Sequence, residues 1–364
     1  MGKTPLKAAL CVGLAALAGG CKREEVGKPK YTLDQCRRVA LIDEVNGEII
    51  RGAEDLALDA ERGRLFVSAY DRRAVERAAR QKQDALPQGG VYAVPIESLF
   101  DAKANELRVA SLATPADFPG GLHPHGIDYD AANKELVFVN RTFERKGRKW
   151  RMVPRIQRIG ANGEMFVGAA TPAHCAANDL TATAAGLYAS FDHASCGIGG
   201  SFENLFRLKR SGVSDETGPV FSRAAFANGL AQMRSGELVV AATRESAILF
   251  LKRDENGFSE RARTKLPGRP DNLTIASDGD VVAALHHSIA SLTSARKFGV
   301  GKSPSRIVKA NGDTGAVALL FDDPKASLFS AATAAVEIDA GLVAGSVVDD
   351  GLLVCQDEKK AAKI

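Results

Sequence analysis

The sequence predicts an all-β protein, a six-bladed β-propeller. Three observations carry that expectation. A unit recurs in which a polar residue precedes a short strand, a turn rich in Asp, Asn or Gly follows, and a β-branched or aliphatic strand completes the pair. Glycine is abundant, 35 of 364 residues, as tight turns between short strands require. Helical periodicity over any length is confined to Arg72–Gln83, which is charged and Ala-rich. The copies read EDLALDAERGRLFVSAYD from Glu54, HGIDYDAANKELVFVNRT from His125, NDLTATAAGLYASFDH from Asn178, NGLAQMRSGELVVAATRESAILFLKR from Asn228 and DNLTIASDGDVVAALHHS from Asp271. A weaker sixth, AAVEIDAGLVAGSVVDDGLLVC, starts at Ala334. They begin roughly 45–70 residues apart, a spacing that suits four-stranded blades around a channel. A pair of β-sandwiches would not place a polar residue ahead of each strand pair.

Taken in order, residues 1–20 read as a signal peptide. Lys3 and Lys7 are its positive region, Ala8–Leu17 its apolar region, and Ala18-Gly19-Gly20 its small-residue cleavage zone. The apolar run is about half of the ~20 residues that span a bilayer. The run Leu17-Ala18-Gly19-Gly20-Cys21 resembles a bacterial lipobox, which makes Cys21 the site of lipidation; plain secretion is the alternative. Lys22 after the cysteine resembles the pattern sorted to the outer membrane. Residues 21–30 are then a tether, 31–358 the propeller and 359–364 a charged tail. The expected location is the cell envelope: periplasmic, lipid-anchored, with the membrane as partner through the anchor. Charged residues are 25% of the chain and the net charge is only +4, spread over many loops, which does not argue for nucleic acid.

Outside the cytoplasm disulfides persist. With Cys11 in the signal and Cys21 lipidated, Cys36, Cys175, Cys196 and Cys355 remain. A Cys36–Cys355 bridge would tie the ends of the domain, and Cys175 and Cys196 flank one strand pair. Four cysteines allow three pairings, and buried free thiols are also possible. Two insertions are rich in charge. Asp71–Gly90 is a flap over the channel mouth or a solvated loop. Arg141–Arg155, strongly basic and holding Trp150, reads as a solvated hairpin, with an anionic membrane surface as the alternative.

The residue ahead of each strand pair supplies the chemistry. In a propeller the innermost strands start near the channel, so residues distant in sequence converge there. Glu54 and Asp271 bring carboxylates; Asn178, Asn228 and Asn272 bring amide oxygens. Five hard oxygens with two charges suit Ca²⁺, and no His or Cys cluster of the zinc type is present. Open coordination positions leave room for a substrate oxygen.

These residues also carry a resemblance. GAEDL (52–56), HPHGI (123–127), Asn178-Asp179, ANG (227–229), Asp271-Asn272 and the terminal Cys36 and Cys355 make the chain similar to the paraoxonase/arylesterase family of six-bladed calcium-dependent propellers, related more distantly to gluconolactonase-like proteins. The resemblance implies two calcium ions. Glu54, Asn178, Asn228, Asp271 and Asn272 would hold a catalytic one. Asp55, Asp179 and the carbonyl of Ile127 would hold a structural one. It implies a ring-closing Cys36–Cys355 bridge, His125 as general base on water, and His193 and His286 near the substrate pocket. The family places a second histidine at the end of the following strand; here Val139-Asn140 is followed by Arg141. A guanidinium cannot relay a proton, and nearby it lowers the pKa of His125. The expected function is calcium-dependent hydrolysis of lactones or aryl esters, small-molecule substrates, by water that Ca²⁺ and His125 activate. A sugar lactone is a third substrate option. The alternative is a non-catalytic, calcium-stabilised propeller that binds a glycan or protein partner.

Overall fold

The computed structural model describes residues 27–356 apart from 165, 167–169 and 256. The signal peptide, Cys21 and the charged tail lie outside the described residues. Six β-sheets stand around a central channel, a six-bladed propeller. The innermost strands, in blade order, are Ala53–Asp59, Pro124–Asp130, Ala177–Thr183, Ala227–Gln232, Arg269–Ile275 and Ala332–Ile338. Each abuts the innermost strand of the next blade, and the sixth returns to the first.

Alternating apolar side chains on the strands fill the space between blades. Phe66, Leu136, Phe138 and Ile159 pack between blades one and two. Val39, Leu41, Val67, Val94, Val343 and Leu352 pack between blades six and one. Each is fully or almost fully buried, which stabilises the fold by about 1.5–3 kcal/mol per large side chain relative to leaving it exposed.

The ring closes through its N-terminal strand. Cys36–Asp43 runs antiparallel to Leu352–Gln356 as the outer strand of blade six, with Cys36 opposite Cys355. That register sets the two cysteines in reach of each other, and they are bonded. On its other edge the same strand pairs in parallel with Glu106–Val109, which follows blade one. Cys175 and Cys196 form the second bridge.

All six innermost strands share one irregularity. The register with the second strand slips between Ala53 and Asp55, Pro124 and Ile127, Ala177 and Leu180, Ala227 and Leu230, Pro270 and Leu273, and Ala332 and Ala334. The residues inside these bulges are the polar ones that precede each repeat. Glycine is required at two of them by close approach of the next blade. A Cβ on Gly126 would lie 2.4 Å from the Asp179 Cα, and one on Gly229 would lie 2.5 Å from the Asp271 carbonyl oxygen.

The two insertions pack on each other. Asp71 caps the helix Arg72–Gln81 by accepting from the Ala74 amide at 2.8 Å. Val75, Ala78 and Leu86 bury against Tyr70, with Phe143 and Trp150 of the long hairpin Glu135–Lys146 and Lys149–Gly160 packed alongside. The Trp150 indole donates to the Gln83 carbonyl at 2.9 Å. The 71–90 insertion is therefore a docked helical cover supported by the basic hairpin. Two further helical segments, Ile198–Phe206 and Ile289–Phe298, rise from blades three and five. The first opens on Ile198-Gly199-Gly200, and both are too short to give a readable period.

Replacing Cys36 by Ser is expected to cost roughly 2–5 kcal/mol of unfolding free energy. Cys175→Ser, whose bridge closes a separation of 21 rather than 319 residues, is expected to cost less; denaturant midpoints compare the two. Gly126→Ala is expected to destabilise by about 1–3 kcal/mol or more, because the atom met is backbone and cannot rotate away. Calorimetric melting checks it.

Candidate metal centre and catalytic cavity

A bulge turns a side chain that would follow the pleat toward a new direction. Here the six bulges aim one side chain each at a single cavity of about 220 Å³ at one end of the channel: Glu54, His125, Asn178, Asn228, Asp271 and Thr333. Five of these were singled out in the sequence, and His286 joins them in the lining. Thr333, the blade-six member, was missed because its repeat is weak and a hydroxyl is a poor signal. Its Oγ1 donates to the Glu54 carbonyl at 2.7 Å and so stitches blade six to blade one.

The hydrogen bonds set which way each amide points. Asn178 turns its Nδ2 to Asp192 Oδ1 at 2.6 Å. Asn228 donates through Nδ2 to Asp271 Oδ1. Asn272, one residue further along the bulge, donates through Nδ2 to the Glu54 carbonyl at 3.0 Å. Each partner is an acceptor, so each amide must present NH₂ to it and its oxygen elsewhere. The oxygens of Asn178 and Asn272 are left buried with no hydrogen-bond partner. An unsatisfied buried acceptor costs about 1–3 kcal/mol, and a hard cation satisfies it. The donor set therefore fits Ca²⁺. Among the described residues no three His, Cys, Asp or Glu side chains group as a metal site; amide oxygens complete this set.

Charge in the cavity is ordered. The Nδ1 of His125 sits directly against Glu54 Oε2. Burial opposes ionisation of Glu54, but His125 and the guanidinium groups of Arg141 and Arg72 outweigh it and hold the carboxyl at about 2. Burial first, and Arg141 second, hold His125 down at about 3. A neutral imidazole donating Nδ1–H to a carboxylate satisfies both directions. Arg141 is itself buried, 3% exposed, with no partner for its Nε. Asp271 is flanked on its other side by His286, whose Nε2 lies 2.6 Å from Oδ2. Burial pushes Asp192 up, against the pull of Arg141 and its bond with Asn178.

The second predicted layer lies one residue deeper. Asp55 and Asp179 line a separate cavity of about 320 Å³ along the channel, together with Ile127 and Asp128. Asp55 Oδ2 accepts from the amide of Ile127 at 2.9 Å, and Asp179 Oδ2 from the amide of Leu230 at 2.7 Å. The Ile127 amide thus meets Asp55 directly. Burial raises both carboxyls well above the usual range, and the charge of Asp179 adds to the shift at Asp55. His193 stands outside the cavity lining, its ring edge-on to Phe226, which does line it. Arg72 and Asp192 belong to the lining and were not found in the sequence. Arg72 reaches it only because the insertion docks, and Asp192 ends a second strand, where the repeat has no polar signature.

No family model and no curated protein matches the chain. Among solved structures it is similar to a gluconolactonase of Xanthomonas campestris, at 16% identity over 91% of this chain and 98% of that one, TM-score 0.47. It is similar to the periplasmic gluconolactonase of Pseudomonas aeruginosa, at 10% identity over 86% and 91%, TM-score 0.46. It is also similar to a PQQ-bound aldose sugar dehydrogenase of Streptomyces coelicolor, at 13% identity over 84% and 94%, TM-score 0.45.

Proposed function

We propose that the protein is a calcium-dependent hydrolase of lactones or aryl esters of the paraoxonase/arylesterase type, tethered in the cell envelope. The observation that carries this reading is the convergence of Glu54, His125, Asn178, Asn228 and Asp271 on one cavity, where the Asn178 amide oxygen has no protein partner; the equally unpartnered Asn272 oxygen belongs to a residue outside the lining. Glu54, Asn178, Asn228, Asp271 and Asn272 would hold a catalytic ion. Asp55 and Asp179, close enough to act on each other, would hold a structural ion or share a proton. When bound at the floor, calcium supplies a Lewis acid that polarises a carbonyl and stabilises the oxyanion.

The chain's own groups do the rest. Glu54 orients the His125 ring through Nδ1, which leaves Nε2 without a partner and free to take a proton from water. Water adds to the carbonyl carbon, the acyl C–O bond breaks and its oxygen takes a proton, giving an acid and a phenol from an aryl ester or a single hydroxy acid from a lactone. Burial first, and Arg141 second, keep the imidazole unprotonated at neutral pH but make it a weak base. The two formed disulfides support an oxidising compartment, and Cys21 is the proposed lipid attachment. The second reading, a non-catalytic calcium-stabilised propeller that binds a glycan or protein, is favoured by the same Arg141, which stands where a proton-relay histidine would.

Purified protein is expected to contain calcium, and chelation to abolish opening of a simple lactone, a sugar lactone or phenyl acetate. Glu54→Gln is expected to lower kcat/KM by at least about 10²-fold. Turnover that survives complete calcium removal overturns the mechanism, and turnover unchanged by Glu54→Gln leaves the second reading.

The pH profile carries a sign. The base works deprotonated, so activity falls as pH drops through its pKa. For His125 that value lies below the ordinary 6.5, so its acid limb lies well below neutrality. Arg141→Gln removes a positive charge that disfavours imidazolium, and the limb is expected to move to higher pH. A limb that stays in place shows that His125 is not the titrating base.

A further inference from the structure

The cavity floor is acidic, but its wall is cationic. Arg72, Arg244, Arg296 and Lys297 all line it. Arg72 and Arg296 share the carboxylate of Glu76, which docks the insertion helix against the Ser294–Phe298 segment. Arg244 has no such partner. Its Nε donates to the Asn204 amide oxygen at 2.6 Å, and among the described residues no carboxylate lies within ion-pair distance of it. Two more guanidinium groups act on it electrostatically, behind the larger effect of its own burial. Arg207 follows the helix Ile198–Phe206, and Arg269 opens the innermost strand of blade five. Neither is ion-paired among the described residues, and both oppose the charge on Arg244. Arg244 and Arg269 are half-buried and Arg207 is exposed, so the cost of a missing counter-ion falls on the first two, and a bound anion relieves it. Three unpaired guanidinium forks match the oxygens of a carboxylate or phosphate.

We propose that Arg244, backed by Arg207 and Arg269, binds an anionic group of the substrate, a carboxylate or phosphate carried by the ester or lactone. The carbonyl end of this assignment rests on the hydrolase reading; the anion end does not. A neutral lactone bearing only hydroxyls would leave the three cations uncompensated.

The experiment is titration calorimetry on the calcium-replete mature protein with glutarate, its neutral diamide glutaramide, and inorganic phosphate. At least one of the two anions is expected to bind about tenfold or more tightly than glutaramide, and which one does so separates carboxylate from phosphate. Raising salt from about 50 mM to about 0.5 M is expected to weaken it. Arg244→Gln is expected to weaken the bound anion about tenfold or more. Arg207→Gln, at an exposed position, does so in the same direction if the first variant fails to fold. Equal affinity for glutarate, phosphate and glutaramide overturns the proposal. So does an anion whose affinity neither variant changes, which is then held by the metal floor alone. Hydrolysis of 4-nitrophenyl acetate and mono-4-nitrophenyl glutarate is measured in parallel. No turnover of either ester removes the hydrolase reading while the calorimetry still decides the anion site.

Discussion

The bulge at the head of every innermost strand is the constraint on which the site depends. On a regular strand Glu54 and Asp55 would point to opposite faces and the residues before them would pair with the neighbouring strand. The extra residue breaks that alternation at the same level in all six blades. One side chain from each blade then reaches the upper cavity, and the next one faces the deeper cavity or the neighbouring blade. Ring closure turns this local device into a site, because residues from Glu54 to Thr333 converge only if blade six meets blade one. The pairing of Cys36–Asp43 with Leu352–Gln356 and the bond between Thr333 and the Glu54 carbonyl make that junction.

The deeper layer explains how the blades keep their spacing. Asp55 accepts an amide from blade two and Asp179 one from blade four, so each carboxyl bridges to the next blade. Opposite them stand Gly126 and Gly229, with no room for a side chain. The order acidic, glycine, acidic, glycine around the channel is therefore a packing rule as well as a chemical one. Two mutually interacting buried carboxyls cannot both ionise without a compensating charge. A proton or a cation must reside there, and the amide bonds already made limit which oxygens remain for it.

Much of this was legible in the sequence because the signal is local and repeated. Asn178-Asp179, Asn228-Gly229 and Asp271-Asn272 each look like an ordinary turn, and only their common phase against the strand pairs marks them out. Cys36 and Cys355 stood at the two ends, but the choice among pairings needed the strand register that sets them opposite each other. What stayed hidden depends on contacts remote in the chain. The docking of Arg72–Gln81 needs Phe143 and Trp150 from a different blade. Asp192 declares itself only through the Asn178 amide, and Arg207, Arg244 and Arg269 become a cluster only when blades four and five close on the blade-three helix. Tertiary placement of charge has no periodic signature for a sequence to carry.

Arg141 couples the charge states of Glu54 and His125. A guanidinium buried beside Glu54 and His125 favours the carboxylate and the neutral imidazole together. At an effective dielectric near 20, unit charges about 4 Å apart interact by about 4 kcal/mol. Arg72 sits at that range from Glu54, 4.0 Å, without forming a bidentate pair, so the carboxylate stays ionised but is not consumed by an ion pair. The Glu54 carboxylate is thus ionised at neutral pH. Burial and, after it, the same charge withdraw basicity from His125. In the proposed hydrolase Arg141 would shift the burden from proton abstraction toward polarisation of the carbonyl. That shift would favour substrates whose leaving group departs readily, such as phenols and strained lactones, over ordinary alkyl esters.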